Sequence, residues 1–124
     1  MKFILTSKNL FWWPVIVQAP DPETPGKFIE QRLEIRFDVP DQADEVAYQE
    51  KYAAAKTQRE RVEMEMHRLL GVISDWRGVE DEARKDVPFS AEIVTAALQQ
   101  PWFRAGVYKA LAESISGKEA RLGN

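Results

Sequence analysis

The stretch IEQRLEIRFDV, residues 29–39, has an alternation of apolar and polar side chains that decides the fold. One set of alternate positions is apolar apart from Gln31, and the other set is charged. The apolar set is Ile29, Leu33, Ile35, Phe37 and Val39. A period of two, with β-branched and aromatic residues on one side, is typical of a strand that is buried on one face only. We therefore predict a half-buried strand here.

The segment LFWWPVIV, residues 10–17, predicts a second strand that is apolar on both faces. Pro14 has no N–H group for a ladder hydrogen bond, so this strand should lie at a sheet edge or bend there. Residues 19–26 contain three prolines and a glycine, which indicates a loop. The two strands should therefore form an antiparallel β-hairpin. Residues 2–6 are a candidate for a further short strand.

The chain after residue 40 is predicted to be helical. Strong helix formers dominate from about residue 43 to residue 73, and Asp41 or Asp44 can cap the start of this long helix. Its apolar stripe has steps of three and four residues and consists of Val62, Met66, Leu69, Ile73 and Trp76. The polar run KTQRER, residues 56–61, interrupts that stripe, so the helix projects, kinks or breaks there.

Two shorter helices should follow. Ser90 is a good N-cap for the first, and Pro101 suits the N1 position of the second, whose buried stripe would be Phe103, Val107, Leu111 and Ile115. Gly117 should end the last helix, with residues 118–124 as a mobile tail. The predicted fold class is α+β: one domain over residues 1–117, with a β region over 1–40 and a helical region over 41–117.

Composition narrows the range of functions. The 124 residues include no cysteine, which excludes disulfides, thiolate metal sites and cysteine nucleophiles. The formal net charge of −3 gives no general attraction to nucleic acid, and no apolar run approaches the length of a membrane span. We expect a soluble, cytoplasmic protein with protein partners, and neither nucleic acid nor membrane as a partner.

Catalytic equipment is hard to find in this sequence. The single histidine, His67, has neither a second histidine nor a cysteine to share ligation, and the acidic run Glu80–Glu82 lacks calcium-loop spacing. Gly117-Lys118 does not begin a phosphate loop, and Ser90 is better explained as a cap than as a nucleophile. We therefore predict a protein that is not an enzyme and needs no cofactor or metal.

Aromatic residues are the unusual part of the inventory, with four tryptophans in the chain. Adjacent residues of a strand point to opposite faces, so Trp12 and Trp13 cannot share one core. Either the sheet is covered on both sides, or one indole is exposed as an interaction surface. Trp12, Trp13, Ile16 and Trp102 are accordingly our candidate partner-binding residues. Trp76 and Phe89 are the better candidates for core anchors.

The order of several short motifs resembles a known family. DWRGV at residues 75–79 precedes an acidic run, VPFS at residues 87–90, a short helix, a proline and a final helix. WPV at residues 13–15 and a hairpin ending in Arg36-Phe37 come before them. This order resembles the tail assembly chaperones of tailed bacteriophages. The segment of residues 82–86 departs from that pattern because it lacks a glycine turn before Val87.

The resemblance implies a non-enzymatic protein that binds the phage tape measure protein and helps recruit tail tube subunits. It also implies a short product paired with a longer form made by ribosomal frameshift, present in the host bacterial cytoplasm but not in the mature virion. Ser116-Gly117-Lys118 is compatible with a slippery heptamer. A homo-oligomer stays an open alternative. Three other functions compete: a structural virion protein of the head–tail connector or tail terminator type, a plain adaptor, and a small enzyme.

Overall fold

The computed structural model describes residues 1–117 and 119–120. Its strands are β1 (Leu10–Pro20), β2 (Phe28–Asp38) and β3 (Ile73–Arg77). Its helices are α1 (Gln42–Ala54), α2 (Gln58–Val72), α3 (Ala91–Leu98) and α4 (Pro101–Ile115). The α+β class is confirmed. The predicted mobile tail, residues 118–124, lies outside the described residues except for 119 and 120.

The strands form an antiparallel sheet in the order β1-β2-β3. The predicted hairpin is confirmed, with Trp13 opposite Ile35 and Val15 opposite Leu33. Gly26, at φ +82°, makes the turn that reverses the chain. Strand β1 is an edge strand, as Pro14 predicts. Residues 2–6 form no strand, so that prediction was wrong.

The third strand was missed, because Ile73 and Trp76 are three residues apart and match a helical stripe. Three residues apart on a regular strand, they would point to opposite faces. The pairing of β2 with β3 shifts by one residue between Arg36 and Phe37, and this irregularity lets both side chains face the core. Ile73 is 3% exposed and Trp76 6%. The region 41–117 is therefore not wholly helical.

The predicted long helix is two helices, so the break at the polar run is the alternative that holds. Helix α1 begins after Asp41, whose carboxylate accepts a hydrogen bond from the Asp44 N–H at 2.8 Å. Helix α2 begins after Thr57, whose hydroxyl accepts from the Glu60 N–H at 3.1 Å. A threonine cap is a strong start signal, and here it favours a new helix over a continuous one.

The two C-terminal helices are confirmed. Ser90 caps α3 by accepting from the Ile93 N–H at 3.1 Å, and Pro101 opens α4. Phe103, Val107 and Leu111 are buried as predicted, but Ile115 is 61% exposed. No helix in the described part of the chain is long and apolar enough to cross a membrane.

One face of the sheet carries the core. The buried side chains of the sheet and of α2, α3 and α4 form a single cluster that includes Val15, Ile35, Phe37, Leu69 and Val107. Helix α1 buries no residue, and its Glu45 and Tyr48 contact Arg68 of α2. The core face of the sheet is therefore covered by three helices, and we call it the inner face. The opposite face of the sheet is the outer face.

Candidate functional site

The adjacent tryptophans of β1 lie on opposite faces of the sheet. Trp13 packs against the core cluster, edge-on to Phe11 with ring centroids 6.1 Å apart. Its indole Nε1 is buried and finds no hydrogen-bond partner among the described residues. Trp12 belongs to the outer face and stands outside the core cluster. Trp12 is therefore neither buried in the core nor among the exposed large apolar side chains, so neither predicted arrangement describes it fully.

Trp12 is held on the outer face by a cation. The Arg77 guanidinium lies over the Trp12 ring, 4.0 Å from its centroid, and the Arg77 Nε donates to the Glu34 carboxylate at 2.9 Å. This link joins all three strands, one residue from each. Both charged side chains are about half exposed, so the ion pair itself stabilises the fold little. Trp12 is consequently half-buried beneath a side chain that is itself about half exposed.

A groove runs between β1 and helix α4 on the outside of the fold. Its volume is about 670 Å³. Its small and apolar lining consists of Pro14, Ile16, Trp102, Ala105, Gly106 and Ala110. Its polar lining consists of Gln18, Glu30, Lys109 and Glu113. We call this feature the edge groove. Six small or apolar residues and four polar or charged residues therefore meet in this groove.

Gly106 allows α4 to lie directly against β1. A Cβ atom at this position would come within 2.6 Å of the Ile16 backbone oxygen and 3.4 Å of a Val17 methyl group. No side chain larger than hydrogen fits without moving the helix or the strand. The close contact buries Gly106. It also places the α4 residues Trp102, Ala105 and Ala110 in the same groove as Ile16. The edge groove therefore depends on this glycine.

Trp102 forms one wall of the edge groove from the first turn of α4. The helix start is set by Pro101, because proline suits the first helical position. The Trp102 Nε1 donates to the Gln100 side-chain oxygen at 3.1 Å, which holds the indole beside the helix start. The side chain remains 38% exposed. An aromatic residue with this exposure is suited to contact another protein.

The other large cavity lies between α1 and α2 and has a different character. It has a volume of about 1070 Å³ and is lined by residues of both charges, including Lys8, Asp41, His67 and Arg68. Arg68 donates to both carboxylate oxygens of Glu45 at 2.8 Å and lies 4.6 Å from the centre of the Tyr48 ring. These contacts attach α1 to α2.

Tyr48, which lines this cavity, and Tyr108 of α4 have a shifted pKa. Burial is the main cause that raises the pKa of Tyr48, although its hydrogen bond with Arg68 opposes the shift. Burial also raises the pKa of Tyr108, with a further contribution from the charge of Glu65. Both phenols are therefore neutral near pH 7. In the described residues, no group of three histidine, aspartate or glutamate side chains is placed to hold a metal ion.

The acidic loop after β3 is organised by its own backbone contacts. The Asp81 carboxylate accepts from the N–H groups of Ala83 and Lys85, at 2.8 and 3.1 Å. Arg84, at φ +64°, makes the turn where a glycine was expected. The Trp76 Nε1 donates to the Val87 carbonyl at 3.0 Å and ties the end of the loop to the core. Trp76 and Phe89 therefore anchor this region, as predicted.

The structure brings together two of the four predicted partner-binding residues. Ile16 and Trp102 both line the edge groove, Trp12 lies elsewhere on the outer face, and Trp13 faces the core. The small residues Ala105 and Gly106, which create the groove, were not singled out from the sequence. Two adjacent small residues within the first two turns of a helix, Ala105 and Gly106, are the signal that could have indicated a close helix–strand contact.

Comparisons with known proteins return one family. A family model described as "YdaY prophage protein" matches residues 47–121, which is more than half of the chain. No curated protein and no solved structure matches it. The matched region begins inside α1 and contains all of α4, so it includes the Trp102 wall of the edge groove but not β1.

Proposed function

The chain belongs to the YdaY prophage protein family, and from this premise we propose that it is a tail assembly chaperone encoded by a prophage. In this role the protein binds the tape measure protein of the same phage and helps recruit tail tube subunits. It performs no covalent chemistry and acts in the host bacterial cytoplasm. A longer frameshifted form of the chain takes part in the same assembly. The proposal combines the phage origin of the family with the motif order of the sequence.

The observation that carries the proposal is the edge groove. Ile16 and Trp102, which are 86 positions apart in the sequence, lie in one groove on the outside of the fold. An amphipathic client helix has an apolar side-chain stripe along one face. A groove of about 670 Å³ can accept several side chains of that stripe, while the helix axis stays outside.

The expected strength of this contact suits a chaperone. Burying a few hundred Å² of apolar surface contributes several kcal/mol at ~25 cal/mol per Å², before the cost of association is subtracted. A contact of that size holds a client but can be replaced when tube subunits polymerise around it. The polar lining groups, Glu30, Lys109 and Glu113, would restrict which helices bind.

Co-expression with the tape measure protein of the same prophage tests the client assignment. Tagged wild-type protein should keep the tape measure protein soluble and co-purify with it. Trp102→Ala should reduce the amount recovered by at least about tenfold, as for a central aromatic contact. Phe28→Ser is the matched control, because Phe28 is 66% exposed and does not line the edge groove. Equal recovery with wild type and Trp102→Ala would show that the groove is not the client site.

Purified virions distinguish the chaperone from a structural virion protein. Mass spectrometry of particles from the induced prophage should detect the tail tube protein but not this chain. Its presence at a fixed stoichiometry would support the head–tail connector or tail terminator alternative. The nucleotide sequence tests the paired product: a slippery heptamer near the Gly117 codon, with a continuing overlapping frame, is expected.

A further inference from the structure

Among the described residues, a run of highly exposed apolar side chains precedes β1. Phe3 is 89% exposed, Ile4 66% and Leu5 87%, and they belong to no helix or strand. Monomeric proteins rarely leave consecutive large apolar side chains in water without a partner. We refer to residues 2–6 as the N-terminal segment. Because these side chains are largely uncovered, we expect the segment to bind an apolar surface.

We propose that the N-terminal segment of one copy binds in the edge groove of a second copy, and that two copies exchange their segments reciprocally. A two-fold pair would use the same two surfaces twice, which doubles the buried area and closes the assembly. This inference does not rest on the proposed function, because it concerns purified protein alone.

The direction of the chain favours a second copy over the molecule's own groove. The Asn9 carbonyl accepts from the Val39 N–H at 3.4 Å, so the pairing of the hairpin continues past Leu10. Residues 7–9 then line the cavity between α1 and α2, and none of them lines the edge groove. The segment therefore leaves the sheet away from the groove on its own chain. The seven residue-to-residue steps from Leu10 back to Phe3 span at most about 24 Å.

The groove and the N-terminal segment carry side chains that can pair with each other. The groove offers Ile16, Trp102 and Ala105 to the apolar side chains of the segment. Its charged lining has two carboxylates, Glu30 and Glu113, and one ammonium group, Lys109. The segment and its flank carry Lys2 and Lys8 and no acidic residue. Glu30 already pairs with Arg32 at 3.0 Å, so the Glu113 carboxylate is the group of opposite charge that the groove offers to the ammonium groups of the segment.

Each edge of the sheet has at least one backbone donor that is missing or already used, which favours the groove over strand addition. Pro14 removes a donor from the β1 edge, and α4 lies against the Ile16 backbone. On β3, the Trp76 N–H already donates to the Asp75 carboxylate at 2.8 Å. A segment that adds as an extra strand would meet a missing or occupied donor at either edge. Insertion of side chains into a groove needs no backbone donor at a sheet edge.

Sedimentation velocity of the purified chain tests the proposal. We expect a small, weak interface, below about 1,200 Å². The fraction of dimer should therefore increase as the protein concentration is raised through the micromolar range. The double variant Phe3→Ser, Leu5→Ser and the single variant Trp102→Ala should each weaken the dimer by at least about tenfold. Phe28→Ser, an exposed apolar control outside both surfaces, should dimerise like wild type. Circular dichroism melts should show that every variant is folded.

Mixing the two variants separates a specific exchange from general stickiness. The segment variant keeps an intact groove, and Trp102→Ala keeps an intact segment, so a mixed dimer retains one of the two contacts. Differently labelled variants should therefore associate with each other more tightly than either does with itself. The proposal is overturned by a wild type that stays monomeric, as it would with its segment in its own groove. Dimers that survive the segment variant, or that are lost in the Phe28 control, also overturn it.

Discussion

The inner and outer faces of strand β1 differ in what covers them, although the same eleven residues build both. On the inner face, Val15 is 0% exposed and Val17 5%, because α4 and its neighbours pack over them. On the outer face, Trp12 is covered by one arginine, and Ile16 lines an open groove. Alternation places apolar side chains on both faces, but the buried core cluster forms on only one of them. The apolar residues that the helices leave uncovered are the ones available for binding.

We expect the largest difference in stability between the two faces for substitutions at neighbouring positions of β2. Phe37 is fully buried on the inner face, and Phe37→Ala should lower the free energy of unfolding by about 3–5 kcal/mol. Arg36→Ala, one position away on the outer face, should change it by about 0.5 kcal/mol or less. Urea denaturation measures both. Equal losses would mean that the outer face is also packed.

A smaller loss of stability is expected for a substitution at the contact between α4 and β1. Gly106→Ala places a methyl group 2.6 Å from the Ile16 oxygen, which should cost about 1–3 kcal/mol and open the edge groove. Gly71→Ala is the matched control, since a Cβ there meets nothing within 4 Å. In that helix the change should stabilise the protein by about 0.5–1 kcal/mol. A tolerated alanine at position 106 would contradict the close contact.

The smallest loss of stability is expected for substitution of Arg77, which lies over Trp12 on the outer face. Arg77→Ala removes the cation above Trp12 and should destabilise the fold by only about 0.5–1 kcal/mol. Arg32→Ala is the control, because Arg32 pairs with Glu30 on the same face without covering an aromatic ring. Tryptophan fluorescence should shift to longer wavelength in Arg77→Ala alone. An unchanged spectrum would mean that Arg77 does not shield the indole.

The hairpin and the caps could be read from the sequence because their signals are local. Alternation along residues 29–39, the proline-rich turn, and Asp41, Ser90 and Pro101 all act within a few residues. The third strand could not be read in this way. Ile73 and Trp76 match a helical spacing, and only the shifted pairing with β2 explains why both are buried.

The candidate site was predictable only in part for the same reason. The aromatic surplus identified Trp102 as a binding candidate, and Ile16 was a candidate from a strand that is apolar on both faces, but the sequence does not show that they share a groove. That arrangement depends on contact between β1 and α4, which are far apart along the chain. Trp13 was included among the candidates because alternation reveals that two adjacent residues face opposite ways, without revealing which of them faces the helices.

Indole N–H signals in NMR spectra of ¹⁵N-labelled protein test the central claim most directly, because each of the four tryptophans reports on a different place. The protein should be titrated with a helical peptide from the tape measure protein of the same prophage. The signal of Trp102 should move on binding, while those of Trp13 and Trp76, which face the core, stay in place. Binding that leaves Trp102 unmoved, or that moves Trp76 instead, would contradict a client site on the outside of the fold.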